Sequence, residues 1–190
     1  MKKVLVFGGS NSSESINQSL ARIAGELLEK AEMHEIHLTD YPLPIYGIDH
    51  EKQKGIPEEA VQLKAVFDVH DAFIISVPEH NISVPAFFKN SIDWLSRIHM
   101  SFFEHKPILL LSTSPGRGGG KNSLAHAEAI LSNYLAGHIV GKFSLPRFYQ
   151  SVEIGQDGSI RLKEEYLELL KVEVKGLENE VVGSAENPES

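Results

Sequence analysis

Short apolar runs alternate with longer amphipathic stretches along this chain of 190 residues. Five of these runs predict strands, because an unbroken run of Val, Ile, Leu and Phe is typical of a strand buried on both faces of a parallel sheet. The predicted strands cover residues 3–7, 35–38, 72–77, 107–112 and 139–143. The pattern indicates a protein of the α/β class.

The stretches between the runs carry apolar residues at helical spacing. Helices are predicted from Ile16, from Pro57, from Val84 or Pro85, over 123–136 and over 162–180. Strands that alternate with helices form a doubly wound parallel sheet of five strands. The flavodoxin-like order 2-1-3-4-5 then places a ligand crevice between the first and third strands.

Three segments fall outside this alternation. Residues 40–49 are punctuated by prolines and are predicted to be non-helical. Residues 147–159 are predicted to form a small hairpin, because Asp157-Gly158 is a turn signal. The absence of a repeat or linker predicts one domain over 1–182, and the polar residues 183–190 are predicted to form a flexible tail.

Charge and composition narrow the function classes. The formal net charge of −8 argues against non-specific nucleic-acid binding, which depends on a basic surface. Every apolar run is far shorter than the roughly 20 residues of a membrane span, so we expect no membrane partner and a cytoplasmic location. The chain has no cysteine, which excludes disulfides and Cys-ligated metals, and no metal site is predicted.

Polar loops follow the first, third and fourth predicted strands, at the edge where the crevice lies. The first loop predicts an anion cradle, because Gly and Ser residues precede a helix N-terminus whose N–H groups and dipole favour negative charge. Its candidate ligands are Ser10, Ser12, Ser15, Ile16 and Asn17. An ordinary serine-capped helix explains the same residues equally well, and no G-x-G-x-x-G dinucleotide fingerprint fits them.

The other two loops complete the candidate site. The loop after the third strand contributes Pro78, Glu79, His80, Asn81 and Ile82, and the loop after the fourth contributes Ser114, Pro115, Gly116, Arg117, Gly118 and Gly119. Glycines let the backbone approach a flat ligand, although a mobile turn also explains the glycine-rich loop. A Walker A phosphate loop does not fit, because Pro115 stands where its first glycine is required.

Together these loops resemble the NADPH-dependent FMN reductase family, over about residues 3–145. The first loop is similar to that family's Gly-Ser-x-Arg-x-x-Ser-x-Asn, and the last to its Ser-Pro-Gly-x-x-Gly-Gly. The middle loop and its helix are similar to Pro-Glu-Tyr-Asn-x-Ser-x-Pro followed by Leu-Lys-Asn-x-Ile-Asp-Trp. His80 replaces the Tyr of the middle loop, and Ser12 replaces an Arg of the first loop that helps neutralise the flavin phosphate in the family.

The resemblance implies an FMN-dependent NAD(P)H oxidoreductase that passes reducing equivalents to quinones, azo or nitro compounds or free flavin. It implies FMN phosphate on residues 10–17, the flavin ring between 78–82 and 114–119, and NADPH or NADH as co-substrate. No catalytic side chain is predicted. In the family, hydride passes between nicotinamide and flavin, and the protein positions the two and supplies the electrostatic environment. A flavodoxin-type electron carrier and a flavin-free or weakly flavin-binding regulatory protein stay open as alternatives, the latter because of Ser12.

The resemblance also implies a homodimer or a dimer of dimers. The helix from Val84 carries Phe87, Phe88 and Trp94 around its circumference. A helix buried on one face needs only one apolar stripe, so these aromatic residues predict a second burial surface on this helix.

Overall fold

Five parallel strands form the main sheet in a computed structural model of the protein, which describes residues 1–133 and 135–183. The strands are β1 (Lys2–Gly8), β2 (Ala31–Glu35), β3 (Ala72–Ser76), β4 (Pro107–Thr113) and β5 (His138–Leu145). Their order is β2-β1-β3-β4-β5, and every neighbouring pair is parallel. The predicted fold class and strand order are confirmed.

The sheet separates two hydrophobic cores. Leu5 and Phe7 of β1 belong to one core, whereas the intervening Val4 and Val6 belong to the other. This alternation is the period of a strand buried on both faces. The register pairs Gly8 with Ser76, so that β1 and β3 end side by side at the carboxyl edge of the sheet.

Helices cover both faces of the sheet. They are α1 (Ile16–Glu26), α2 (Ile48–Lys54), α3 (Glu58–Asp68), α4 (Ala86–Ile98), α5 (Lys121–Ser132), α6 (Phe148–Ser151) and α7 (Glu164–Gly183). Buried residues of α3, α4 and α5 complete the first core, and those of α1 and α7 complete the second. Among these described helices, none is both long and apolar enough to cross a membrane.

A small antiparallel hairpin lies between β5 and α7. Its strands are β6 (Val152–Ile154) and β7 (Ile160–Leu162), and Gly158 at its turn has φ +81°. The hairpin predicted from Asp157-Gly158 is confirmed, although it extends three residues beyond 159.

The position of β2 differs from the prediction of 35–38. The strand is Ala31–Glu35, and a 3-10 turn follows at Leu38–Asp40. As an edge strand, β2 alternates exposed residues with buried or partly exposed ones and therefore lacks a continuous apolar run. The apolar signal came from Ile36 and Leu38, which are buried just beyond the end of the strand.

Helix α2 was not predicted, and the assignment of 40–49 as non-helical was wrong at its last two residues. This helix contains no buried residue, so it lacks the apolar stripe on which a prediction depends. Acidic residues in its first turn and lysines in its last turn complement the helix dipole instead. Gly55, at φ +78°, ends the helix.

Aromatic side chains of α4 are buried by their own chain. Phe88 and Trp94 are 1% and 0% exposed. The Trp94 Nε1–H donates to the Pro44 carbonyl at 2.7 Å, and the Tyr46 ring meets the Trp94 ring edge-on at 5.1 Å between centroids. The segment before α2 therefore covers Trp94, and Phe88 belongs to the first core, so both side chains are buried within their own chain. The homodimer stays a prediction.

The single domain over 1–182 stays a prediction. Helix α7 continues to Gly183, so the first residue of the predicted tail is helical. The rest of that tail, residues 184–190, lies outside the described residues.

Candidate functional site

A cleft of about 230 Å³ opens where β1, β3 and β4 end. It is lined by Ser10, Ser12, Glu14, Ser15, Ile16, Asn17, Pro78, Glu79, His80, Thr113, Ser114, Pro115 and Tyr149. The structure thus brings residues of all three predicted loops together at the switch point of the sheet.

The first loop exposes hydrogen-bond donors to this cleft. Ser15 caps α1, since its Oγ accepts from the Gln18 N–H at 3.2 Å. The N–H groups of Ile16 and Asn17 have no hydrogen-bond acceptor within the described part of the chain. Together with the positive end of the helix dipole, these two N–H groups make the start of α1 a candidate anion site.

Serine hydroxyls fold the rest of that loop. The Ser10 Oγ accepts from the Ser12 N–H at 3.1 Å, and the Ser12 Oγ accepts from the Glu14 N–H at 3.2 Å. A hydroxyl that accepts one hydrogen bond still carries its own hydrogen, so both can donate to a ligand oxygen.

The Asn17 side chain joins the start of α1 to the ends of two strands, β3 and β4. Its Oδ1 accepts from the Ser76 Oγ–H at 2.8 Å and from the Thr113 N–H at 3.1 Å, and its Nδ2 donates to the Thr113 carbonyl. The residue is 2% exposed. Its carboxamide is therefore used within the protein, and its backbone N–H is the group offered to the cleft.

Glu79 caps α5 from the neighbouring loop. One carboxylate oxygen accepts from the Asn122 backbone N–H at 3.0 Å, and the other accepts from the Asn122 Nδ2 at 3.1 Å. A negative charge at a helix N-terminus is stabilised by the dipole. The carboxylate fixes the loop after β3 against the helix that follows β4.

Asn81 and Ile82 form the tip of a tight turn. The His80 N–H donates to the Ser83 carbonyl at 2.9 Å, and the Ser83 N–H donates back at 3.1 Å. Both tip residues have positive φ, 51° and 64°, as in a type I′ turn. Both residues are exposed, and neither lines the cleft.

The fourth-strand loop meets the cleft through Ser114 and Pro115. Residues 116–118 are exposed beside it. Gly119 is buried at φ +61°, and a Cβ there would lie 2.5 Å from the Ser144 Oγ. Because glycine has no side chain at this position, the loop can pack against β5. That this loop contacts a flavin stays a prediction.

Sequence reasoning missed Glu14, Thr113 and Tyr149. Tyr149 lies on α6 and is 62% exposed, and its ring packs edge-on against the buried ring of Phe148. The sequence did offer one signal for Tyr149: it follows β5, and the carboxyl ends of all parallel strands meet at the same edge of the sheet.

The charge of the cleft is negative. Among the described residues that line it, Glu14 and Glu79 are acidic and none is Lys or Arg. Arg147, near Tyr149, has a left-handed backbone at φ 47°, and its N–H donates to the Gly116 carbonyl at 2.9 Å. Its side chain is exposed, does not line the cleft and forms no ion pair with any described residue.

Residues 2–150 match the NADPH-dependent FMN reductase family. The chain belongs to this family. A quinone reductase of Escherichia coli K12 is 36% identical over 89 residues, which are 47% of this chain and 47% of that protein. The chain thus aligns with about half the length of this relative.

Two further similar proteins align over more of the chain. An NADPH azoreductase of Bacillus sp. strain OY1-2 is 28% identical over 156 residues, 82% of this chain and 83% of that protein. The solved structure of FerB, a flavoenzyme NAD(P)H:(acceptor) oxidoreductase from Paracoccus denitrificans, has a TM-score of 0.74 at 28% identity. That match covers 96% of this chain and 98% of FerB.

Proposed function

We propose that the protein is an FMN-dependent NAD(P)H oxidoreductase that passes reducing equivalents to quinones, azo or nitro compounds or free flavin. The observation that carries this proposal is the free N-terminus of α1 at the switch-point cleft, in a chain of the FMN reductase family. The similarity to a quinone reductase and to an NADPH azoreductase supports quinones and azo compounds as acceptors.

The donor set of the cleft fits a phosphate. The N–H groups of Ile16 and Asn17 and the hydroxyls of Ser10, Ser12 and Ser15 would hold it, since each can donate to an anionic oxygen. FMN supplies hydride chemistry when it is bound. The residues of this chain would bind and orient the cofactor. The Glu79 cap and the Asn17 cross-link keep the three loops in place.

The test is the absorption spectrum of the purified protein, or of apoprotein titrated with FMN. We expect a bound-flavin spectrum that NADPH bleaches under anaerobic conditions and that menadione then restores. Failure to bind FMN at high micromolar concentration contradicts the proposal, and so does bound flavin that neither NADPH nor NADH reduces.

A weakly flavin-binding regulatory protein is the second candidate. The observation that favours it is the absence of Lys and Arg from the described cleft lining, where Ser12 and Glu14 stand beside the phosphate donors. The same titration separates the two candidates, because a regulatory protein shows weak flavin binding and no turnover with any acceptor.

We also propose a homodimer or a dimer of dimers in the cytoplasm. Ile45, before α2, and Ile48, at its start, are 77% and 50% exposed, and Ile82 is 73% exposed. These exposed apolar side chains support the assembly, because a second copy would remove them from water. Sedimentation velocity at micromolar concentration tests it, and a monomer would reject it.

A further inference from the structure

A second cavity, here called the side hollow, adjoins the cleft. Its volume is about 410 Å³, against about 230 Å³ for the cleft, and His80 lines both. The remaining walls come from the turn at 80–83, from α4 and from α5. A molecule in the side hollow therefore lies against the cleft, with His80 at the boundary.

The side hollow combines apolar walls with one pair of polar groups. Val84, Ala86 and Ile130 supply the apolar surface. The Ser83 Oγ lies 2.8 Å from the His126 Nδ1. When the hydroxyl donates to Nδ1, the neutral imidazole carries its hydrogen on Nε2 and can donate it to a ligand oxygen.

The side hollow offers no free positive charge when its imidazoles are neutral. Lys89 is the one Lys or Arg among the described residues that line it. The Lys89 ammonium is bound to the Asp93 carboxylate of the same helix. Phosphate or sulfonate would therefore lack a cationic partner, whereas an uncharged aromatic body with carbonyl oxygens finds both apolar walls and a hydrogen-bond donor.

We infer that the side hollow binds the electron acceptor and favours uncharged quinones over anionic aromatic acceptors. This inference rests on the proposed function and names the substrate class of that site. The reaction balances as NAD(P)H, one proton and quinone giving NAD(P)⁺ and hydroquinone. NAD(P)H is the source of the hydride, FMN would supply the hydride-transfer chemistry when bound, and the remaining proton comes from solvent.

The first test removes the ion-pair partner of Lys89. Asp93→Asn leaves the ammonium unpaired, so we expect the KM for the anionic azo dye methyl orange to fall about twofold to fivefold, the range of one exposed ion pair. The KM for menadione, an uncharged quinone, stays unchanged. Glu128→Gln is the matched control, because it removes one negative charge from α5 and frees Lys142 outside the side hollow.

The second test removes the polar pair. His126→Leu and Ser83→Ala should each raise the KM for menadione about fivefold, the value of one net hydrogen bond, while NADPH bleaches the flavin at the wild-type rate. Titration of the oxidised protein with menadione should also shift the His126 Cε1–H resonance, which is assigned by its loss in His126→Leu.

An unchanged menadione KM in both variants, or a His126 resonance that menadione does not move, overturns the inference. An equal response of Asp93→Asn and Glu128→Gln to methyl orange overturns the charge argument. Each of these results leaves the proposed function intact, because NADPH still bleaches the flavin. Failure of wild-type bleaching contradicts the proposed function itself.

Discussion

Ser12 lines the cleft beside the candidate anion site, at the position where the family pattern has an Arg. An FMN phosphate carries close to two negative charges, and each exposed dipole contribution is worth only about 0.3–1 kcal/mol. A hydrogen bond to a charged group contributes roughly 1.5–3 kcal/mol. We therefore expect Ser12→Arg to tighten FMN binding about tenfold or more, measured by titration of the apoprotein at low salt.

Two controls accompany this variant: a titration at high salt and an Arg at the neighbouring position 13. The gain should shrink at high salt, because the new pair is exposed and screened. Ser13→Arg adds the same charge to an exposed residue of the loop that does not line the cleft, and it should give a smaller gain. Unchanged affinity in Ser12→Arg would mean that Arg117 or Arg147 already neutralises the phosphate.

Gly118 tests the placement of the flavin ring. A Cβ at this exposed residue meets no atom within 4 Å, so Gly118→Val should fold with little change in the melting temperature. We expect a reduced FMN content, because the new side chain would occupy the space predicted for the ring. Gly176→Val on α7 also adds a Cβ in open space and should keep its FMN. Equal FMN content in both variants would refute this ring position.

At the scale of elements, Glu79 connects the loop after β3 to α5. Glu79→Gln removes the charge that interacts with the helix dipole, so we expect the free energy of unfolding to fall by about 1 kcal/mol. FMN affinity should fall as well, because a neutral amide holds the two loops together less firmly than the carboxylate does. Glu58→Gln removes an exposed acid from the first turn of α3, and its effect should be confined to stability. Urea unfolding and FMN titration measure both; wild-type affinity in Glu79→Gln would contradict this role.

The elements that sequence predicts well are those whose burial leaves a pattern. Four of the five sheet strands lie within two residues of their predicted ends, because β1, β3, β4 and β5 contain apolar runs. The loops after β1, β3 and β4 were located because each follows an apolar run. Their meeting in one cleft then follows from parallel strands that end at the same edge.

Elements without such a pattern were missed or displaced. Helix α2 has no buried residue, and β2 shows one apolar face only. The burial of Trp94 depends on Pro44 and Tyr46, which are distant in the chain and reach it by folding back. Tyr149 enters the cleft because of the short helix α6 after β5, and no periodicity marks a helix of that length.

At the scale of the whole molecule, His70 makes stability depend on pH. The residue is 2% exposed, and its Nδ1 lies 2.6 Å from the Val66 carbonyl while its Nε2 lies 2.8 Å from the His34 Nδ1. Burial lowers the pKa of His70, and the nearby positive charges of His34, Lys3 and Lys106 lower it further, against the opposing hydrogen bond to the carbonyl.

The sign of the effect follows from this lowered pKa. As pH falls below about 6.5, the unfolded chain takes up a proton at His70 that the folded protein resists. The free energy of unfolding should therefore decrease from pH 7 to pH 5, as measured by urea unfolding. His70→Gln should flatten this dependence, whereas His138→Gln, at an exposed histidine, should preserve it. The same slope in wild type and His70→Gln would exclude His70 as its source.

The Glu79 cap also gives the cleft a direction. Two helix N-termini flank the cleft, and the carboxylate occupies that of α5 while the N–H groups at the start of α1 remain free. A ligand with one anionic end and one neutral, flat end can therefore dock in a single orientation, with its charged end at α1. The reversed molecule would bring its negative charge against a carboxylate, so the asymmetry between two helix ends decides which end of an elongated ligand enters first.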